Sequence, residues 1–161
     1  MSLFVCFIYL YPQNKIRFIF IKSGKHVIEI IHTADWHLGQ TFFGYDRDEE
    51  HEAFLSWLID ILTLRQTDVL LIAGDVFDVA NPSAAAQRRF FPFLREANRH
   101  NPQLQIVIIA GNHDSAARLE APIPLLEELN TSIVGVVPRT DLCKIDFDSL
   151  LIPLYNKEGK R

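Results

Sequence analysis

Three short strings in this chain combine carboxylate, imidazole and amide side chains: Asp35-Trp36-His37, Gly74-Asp75-Val76-Phe77-Asp78 and Gly111-Asn112-His113-Asp114. In extended backbone, residues two apart face the same way. Asp35 and His37 are therefore read as chelating one divalent ion. Asp75 has two oxygens and is read as the bridge to a second ion, with the amide oxygen of Asn112 as a neutral ligand there. Oxygen and imidazole donors without thiolate suit manganese, iron or zinc better than copper(I) or an iron–sulfur cluster. A pair of such ions roughly 3.5–4 Å apart activates water and clamps both sides of a phosphoryl transfer. His113 is read as the catalytic group, stabilising phosphorane charge or protonating the leaving oxygen. Gly74 and Gly111 allow the backbone to turn sharply and approach the ions. Any one string is weak, because Asp-x-His arises by chance and Gly-Asp after a strand is often only a turn. Three in order, each after an apolar run, weigh against coincidental turn residues.

The apolar runs must deliver these strings to one place. Residues 27–34, 68–73, 104–110 and 132–137 are β-branched and bounded by Gly, Asp or Pro, the pattern of strands buried on both faces. Between them, 46–65 has helical spacing with acids in its first turn, Asn81-Pro82-Ser83 opens a second helix toward Arg99, and 122–129 supports a short third. The alternation predicts an α/β fold: a mostly parallel sheet with helices on both faces. The carboxyl ends of parallel strands lie along one edge, where ligands bind. A fifth strand is expected at 150–154, at an edge because of Pro153. Pro92 falls inside the second helix, where a missing hydrogen bond and a ring clash cost about 3 kcal/mol. A kink or split is expected there.

The 161 residues suit one domain, and 48% hydrophobic with 22% charged residues excludes a disordered chain. A net charge of −4 argues against a broad basic face for nucleic acid. DNA remains admissible as a substrate, because bound cations supply local positive charge. Cys6 and Cys143 form neither a metal spacing nor a disulfide framework, which predicts a reducing, cytoplasmic setting. Residues 1–26 carry two apolar runs too short to span a bilayer, and no well-formed signal peptide. They are read as an atypical extension, with the domain occupying 27–161. Among the remaining candidates, Asp78 is read as orienting the Asp75 loop and Trp36 as packing beside the site. His26, His51, His100, Arg88 and Arg89 are read as solvated. Phe42 and Phe43 are either core or an exposed loop contact.

The ordered strings resemble those of the calcineurin-like metallophosphoesterase superfamily. The longer stretches 32–40, 73–78 with 81–83, and 110–115 with 118–121 are similar to the bacterial SbcD nuclease family. The resemblance implies a partial metallophosphoesterase sandwich. It matches Asp35, His37, Asp75 and Asn112 to metal ligands and His113 to the catalytic histidine. It further implies a two-metal centre, usually manganese, that cleaves DNA as exonuclease and endonuclease in repair, recombination and replication. The implied partners are a coiled-coil ATPase of the SbcC kind and a second copy of the chain, paired through the first two helices, with no membrane. The family completes its site with later histidines, including a Gly-His-x-His element, and no histidine follows His113 here. The expectation is a truncated first part of such a domain. Two alternatives stay open: a dimetal phosphoesterase for non-DNA substrates, and a catalytically inactive fragment, which is the outcome expected of this chain by itself because its second ion would lack ligands.

Overall fold

The computed structural model describes residues 5–9, 17–23, 26–140 and 144–157. In chain order its elements are β1 (Val5–Tyr9), β2 (Arg17–Ser23), β3 (His26–Thr33), β4 (Thr41–Phe42), β5 (Tyr45–Asp46), α1 (Asp48–Arg65), β6 (Val69–Ala73), α2 (Ala84–His100), β7 (Gln105–Ile109), α3 (Ala116–Glu120), α4 (Ile123–Leu126) and β8 (Thr131–Val134). Among the described residues six strands form one sheet in the order β1-β2-β3-β6-β7-β8, and β4 pairs with β5 in a separate ribbon. The pairings β3–β6, β6–β7 and β7–β8 are parallel, whereas β1–β2 and β2–β3 are antiparallel. The α/β class and the four strands 27–34, 68–73, 104–110 and 132–137 thus appear where the apolar runs predict them. The antiparallel β1 and β2, within residues 1–26, extend the same sheet. Cys143 lies outside the described residues, and so does the side chain of His26.

The helices do not divide between the two faces. Alternate residues of the parallel strands point to opposite sides. One side, through Ile31, Leu70, Ile72, Ile106 and Ile108, shares a single core with Leu55, Leu58 and Leu62 of α1, Phe90, Phe93 and Leu94 of α2, Leu119 of α3 and Leu126 of α4. The other side, through Ile30, Val69 and Val107, meets Ile152 and Leu154 instead. The reason is topological. Parallel crossovers are right-handed, and strands added always in one direction place every crossover helix on the same face. Helices on both faces require a reversal of strand order, and β3-β6-β7-β8 has none.

No fifth strand forms at 150–154. The segment makes a 3₁₀ turn at Asp148–Leu150 and then lies against the helix-free face. Its backbone is tied down by Tyr155 N–H donating to Gln105 Oε1 (2.7 Å) and Lys157 N–H donating to Asp68 Oδ1 (3.0 Å). An edge strand needs a ladder of backbone bonds, and these bonds go to side chains. Nor does Pro92 split α2, which is one helix from Ala84 to His100 with Pro92 exposed on it. Ser83 caps that helix by accepting the Ala86 N–H (3.1 Å).

Two further expectations change. Arg89 is not a solvated surface residue. It joins the helices by pairing with Asp48 (2.5 Å) and Glu52 (3.2 Å) of α1. His51 on α1 is 5% exposed and feels the charge of Arg89 from α2. Phe42 and Phe43 are resolved as the exposed alternative, at 65% and 88%. Among the described residues no helix is long and apolar enough to cross a membrane.

Candidate metal centre

The three strings lie on the loops that follow β3, β6 and β7. The sheet brings those loops side by side, and irregular backbone bonds lock them together beyond its edge. Asp35 N–H donates to Gly74 C=O (3.1 Å), His37 N–H to Asp75 C=O (3.0 Å) and Leu38 N–H to Val76 C=O (2.9 Å). Gly74 N–H reaches back to Ile109 C=O (2.9 Å).

Asp35 and His37 do not present their side chains from extended backbone. β3 ends at Thr33, and both residues are left-handed, with φ of 55° and 50°. Asp75 is left-handed too, at φ 49°, beside Gly74 at φ 90°. Such conformations are costly for residues other than Gly and persist only where the surroundings over-determine them. Here the surroundings are the cross-loop bonds and Trp36. Its buried indole packs edge-on against Phe54 (5.4 Å), Phe93 (5.3 Å) and Phe90 (6.1 Å) and donates to Thr33 Oγ1 (2.9 Å). The expected packing role of Trp36 is therefore what anchors the loop between two candidate ligands.

Asp35, His37 and Asp75 place ligand atoms within 4.8 Å of one another. His37, Asp78 and His113 form a second set by the same measure, so His37 belongs to both. His37 Nε2 is 4.0 Å from Asp75 Oδ2, and its Nδ1 is 3.2 Å from Asp78 Oδ1. His113 stands edge-on to His37 at 5.0 Å. Its Nδ1 is 2.8 Å from the carbonyl oxygen of Asp78, and its backbone N–H donates to Asp75 Oδ1 (2.9 Å). Asn112 is exposed on the same loop, and among the described residues its side chain makes no hydrogen bond. It is held beside Asp75 through the His113 N–H that follows it. Asp78 faces Gln40, His37 and His113 from the other two loops instead of bracing the Asp75 loop, and its carboxylate belongs to the second set.

The close approach of the second and third loops depends on glycine. A Cβ on Gly111 would stand 2.1 Å from Asp75 Oδ1 and 2.3 Å from Asp75 N. Neither distance is possible for real atoms, so residue 111 can carry no side chain.

Asp114 braces the site in a way that residue types and spacing do not assign. Its carboxylate accepts three backbone N–H groups: Phe77 (2.9 Å) and Val76 (3.1 Å) from the second loop and Gly111 (2.9 Å) from its own. The signal is the last letter of Gly-Asn-His-Asp. A carboxylate closing a loop string is suited to gathering loop amides.

The donor set fits divalent metal. Asp35 and Asp75 crowd two carboxylates, which repel without a cation between them. His37 Nδ1 is buried with the Asp78 carboxylate 3.2 Å away, but not in hydrogen-bonding geometry. Carboxylate and imidazole without thiolate is chemistry for manganese, iron or zinc. His113 has a raised pKa. The bond to the Asp78 carbonyl is the main cause and burial opposes it, while the charges of Asp75, Asp78 and Asp114 reinforce the rise.

Comparison with known proteins agrees with this geometry. Residues 28–158 match the family model of the calcineurin-like phosphoesterases. Over 133 residues the chain is 50% identical to the SbcD subunit of nuclease SbcCD from Rhodobacter capsulatus, covering 83% of this chain and 33% of that protein. The SbcD subunit from Escherichia coli is 38% identical over 133 residues, 74% of this chain and 33% of the relative. Its Bacillus subtilis counterpart is 39% identical over 122 residues, 76% and 31% respectively. The chain thus spans about a third of the length of the curated relatives it matches.

Proposed function

The chain belongs to the calcineurin-like phosphoesterase family, and from that premise we propose that it contributes to a nuclease centre hydrolysing DNA phosphodiester bonds with two divalent ions, manganese first among them. The observation that carries this reading is the ligand set of Asp35, His37 and Asp75, gathered from two loops, with His113 of the third loop donating its backbone N–H to Asp75. Similarity to the SbcD subunits of SbcCD nucleases supports DNA as the substrate. The same similarity supports an SbcC-like partner, and an ATPase activity of that partner and work in repair and recombination are part of the proposal. Pairing with a second copy through α1 and α2 and a cytoplasmic location complete the proposal.

In this reading Asp35, His37, Asp75 and Asn112 hold the metal ions, which when bound supply positive charge to the phosphate and acidify water. Asp78 positions His37 and His113. A carbonyl oxygen only accepts, so the His113 nitrogen facing Asp78 is the protonated one. That fixes the tautomer and leaves Nε2 to hold a proton or release it. His113 is thereby suited to donate to the leaving oxygen.

The test gives the chain manganese with linear duplex DNA and, separately, bis(p-nitrophenyl) phosphate. The nuclease reading requires metal-dependent DNA cleavage that falls by about 10²–10⁴-fold in His113→Gln, the usual contribution of a general acid. Cleavage of the small ester alone favours a non-DNA phosphoesterase. No turnover, with manganese affinity no better than millimolar, favours a non-enzymatic fragment.

A further inference from the structure

Beside the metal loops lies a cavity of about 160 Å³ lined by Phe77, Pro82, Gln87, Phe91, Arg118 and Ala121. Its position follows from the chain. Phe77 lies between Asp75 and Asp78, and Arg118 is on α3, which begins two residues after Asp114. The Phe77 N–H bonded to Asp114 ties these two walls together. The volume is several times a water molecule's ~30 Å³ share. It falls short of the roughly 300–1,000 Å³ of a pocket for a whole small ligand. It has room for one planar ring belonging to something larger.

The lining is chemically uneven. Phe77, Phe91, Pro82 and Ala121 are apolar, and Arg118 is the one charged residue among the lining six. Among the described residues no carboxylate pairs with Arg118. The closest acid in sequence, Glu120, is engaged by the N–H groups of Gly135 (2.8 Å) and Val136 (3.0 Å). Gln87 donates its amide N–H to Pro82 C=O (3.1 Å), which steadies the apolar wall at the start of α2. An aromatic surface beside an uncommitted guanidinium suits a ligand with a flat apolar ring and an adjacent anion.

We infer that this cavity binds one nucleotide of a DNA strand next to the bond being cut, its base against Phe91 and Pro82 and its phosphate on the Arg118 guanidinium. The inference rests on the nuclease reading for its ligand and deepens it by naming a subsite. Bases stack on aromatic faces whatever their sequence, so the subsite holds the strand in place without selecting a base.

Binding is measured by NMR titration of the full chain in EDTA, which removes any contribution from bound metal. The probes are deoxyadenosine 5′-monophosphate, deoxyadenosine and inorganic phosphate. The exposed position of Arg118 makes Arg118→Gln safe for folding, and Phe91→Leu keeps apolar volume while removing the aromatic face. Expected is that the mononucleotide binds and moves signals of Phe91 and Ala121. Arg118→Gln weakens that binding by about tenfold, the scale of one charge-assisted contact. Phe91→Leu, which also gives up the edge-on contact with Phe90 (5.3 Å), weakens it as well in a variant whose NMR spectrum remains that of the folded chain. Inorganic phosphate binding as tightly as the mononucleotide, or either variant binding like the parent, overturns the subsite. Metal-dependent DNA cleavage with no effect of the two substitutions on nucleotide binding removes the subsite and leaves the nuclease reading. Arg118-dependent nucleotide binding without DNA cleavage under manganese does the reverse.

Discussion

The Asp114 carboxylate accepts the Phe77 N–H at 2.9 Å across 37 residues of sequence. It is the clasp between the second and third loops, reinforced by the N–H groups of Val76 and Gly111. Removing the acceptor leaves three amides to find water in a partly buried place. Asp114→Ala is therefore expected to cost on the order of 3 kcal/mol. Manganese affinity should fall by about 10–100-fold, as it does when groups supporting metal ligands are lost. Calorimetric melting and a manganese titration check both. A variant that melts lower yet binds manganese like the parent would make Asp114 a purely structural clasp.

Gly111 makes a sharper demand. A single methyl there would collide with Asp75 Oδ1 and N, at 2.1 and 2.3 Å. The only relief is to separate the loops or expel the Asp75 carboxylate. Gly111→Ala is expected to lose manganese binding and at least about 3 kcal/mol of stability, because overpacking that forces backbone shifts costs this much. Gly74→Ala gives a milder comparison. Its Cβ would be 3.2 Å from Gly111 Cα, although φ of 90° strains any side chain. Equal behaviour of Gly111→Ala and the parent in metal titration would refute the close approach.

The contrast between Asp35 and Trp36 shows how far the sequence could be read. Residue types and spacing were enough to single out Asp35, His37 and Asp75, because few side chains hold hard divalent cations. The way they converge was not legible. Spacing of two suggests a strand presenting one face, whereas left-handed turns around a buried Trp36 present these side chains. Those turns are set by bonds that the Asp35 and His37 N–H groups donate to the Gly74 and Asp75 carbonyls, which are distant in sequence. Likewise, the apolar runs marked each parallel strand. Strand order, and with it the face taken by every helix, depends on pairings that no local pattern encodes. His51 and Arg89 misled for the same reason. A polar residue on a helix reads as solvated until the neighbouring helix is in place.

His51 supplies a pH prediction. Its pKa is lowered from 6.5, first by burial and then by the Arg47 charge, with Arg89 adding to the effect and Asp48 and Glu50 opposing it. The folded protein therefore holds the neutral ring more firmly than the unfolded chain does. Stability from this group is fully present above 6.5 and is lost as pH falls through the lower folded value. His113 shifts the opposite way, so parent and His51→Gln, which share it, are the proper comparison. Expected is a melting temperature that drops on acidification below about 6.5 and does so less in His51→Gln. Parallel curves would show that His51 titrates as it does in the unfolded chain.

Pro92 leaves a measurable deficit in α2. Without an N–H it cannot bond to the Arg88 carbonyl, and its ring crowds that turn, yet the helix continues to His100. Tertiary packing outweighs the local cost, because Phe90, Phe93 and Leu94 on either side are buried in the main core. The side chain of residue 92 is itself exposed, so replacing it sacrifices no packing. Pro92→Ala should recover up to about 3 kcal/mol. At ~2–4 °C per kcal/mol for a chain of this size, the melting temperature should rise by as much as about 6–12 °C. An unchanged melting temperature would mean that α2 has bent enough to give the Arg88 carbonyl another partner. Proline would then be a built-in bend in the helix that packs beneath Trp36.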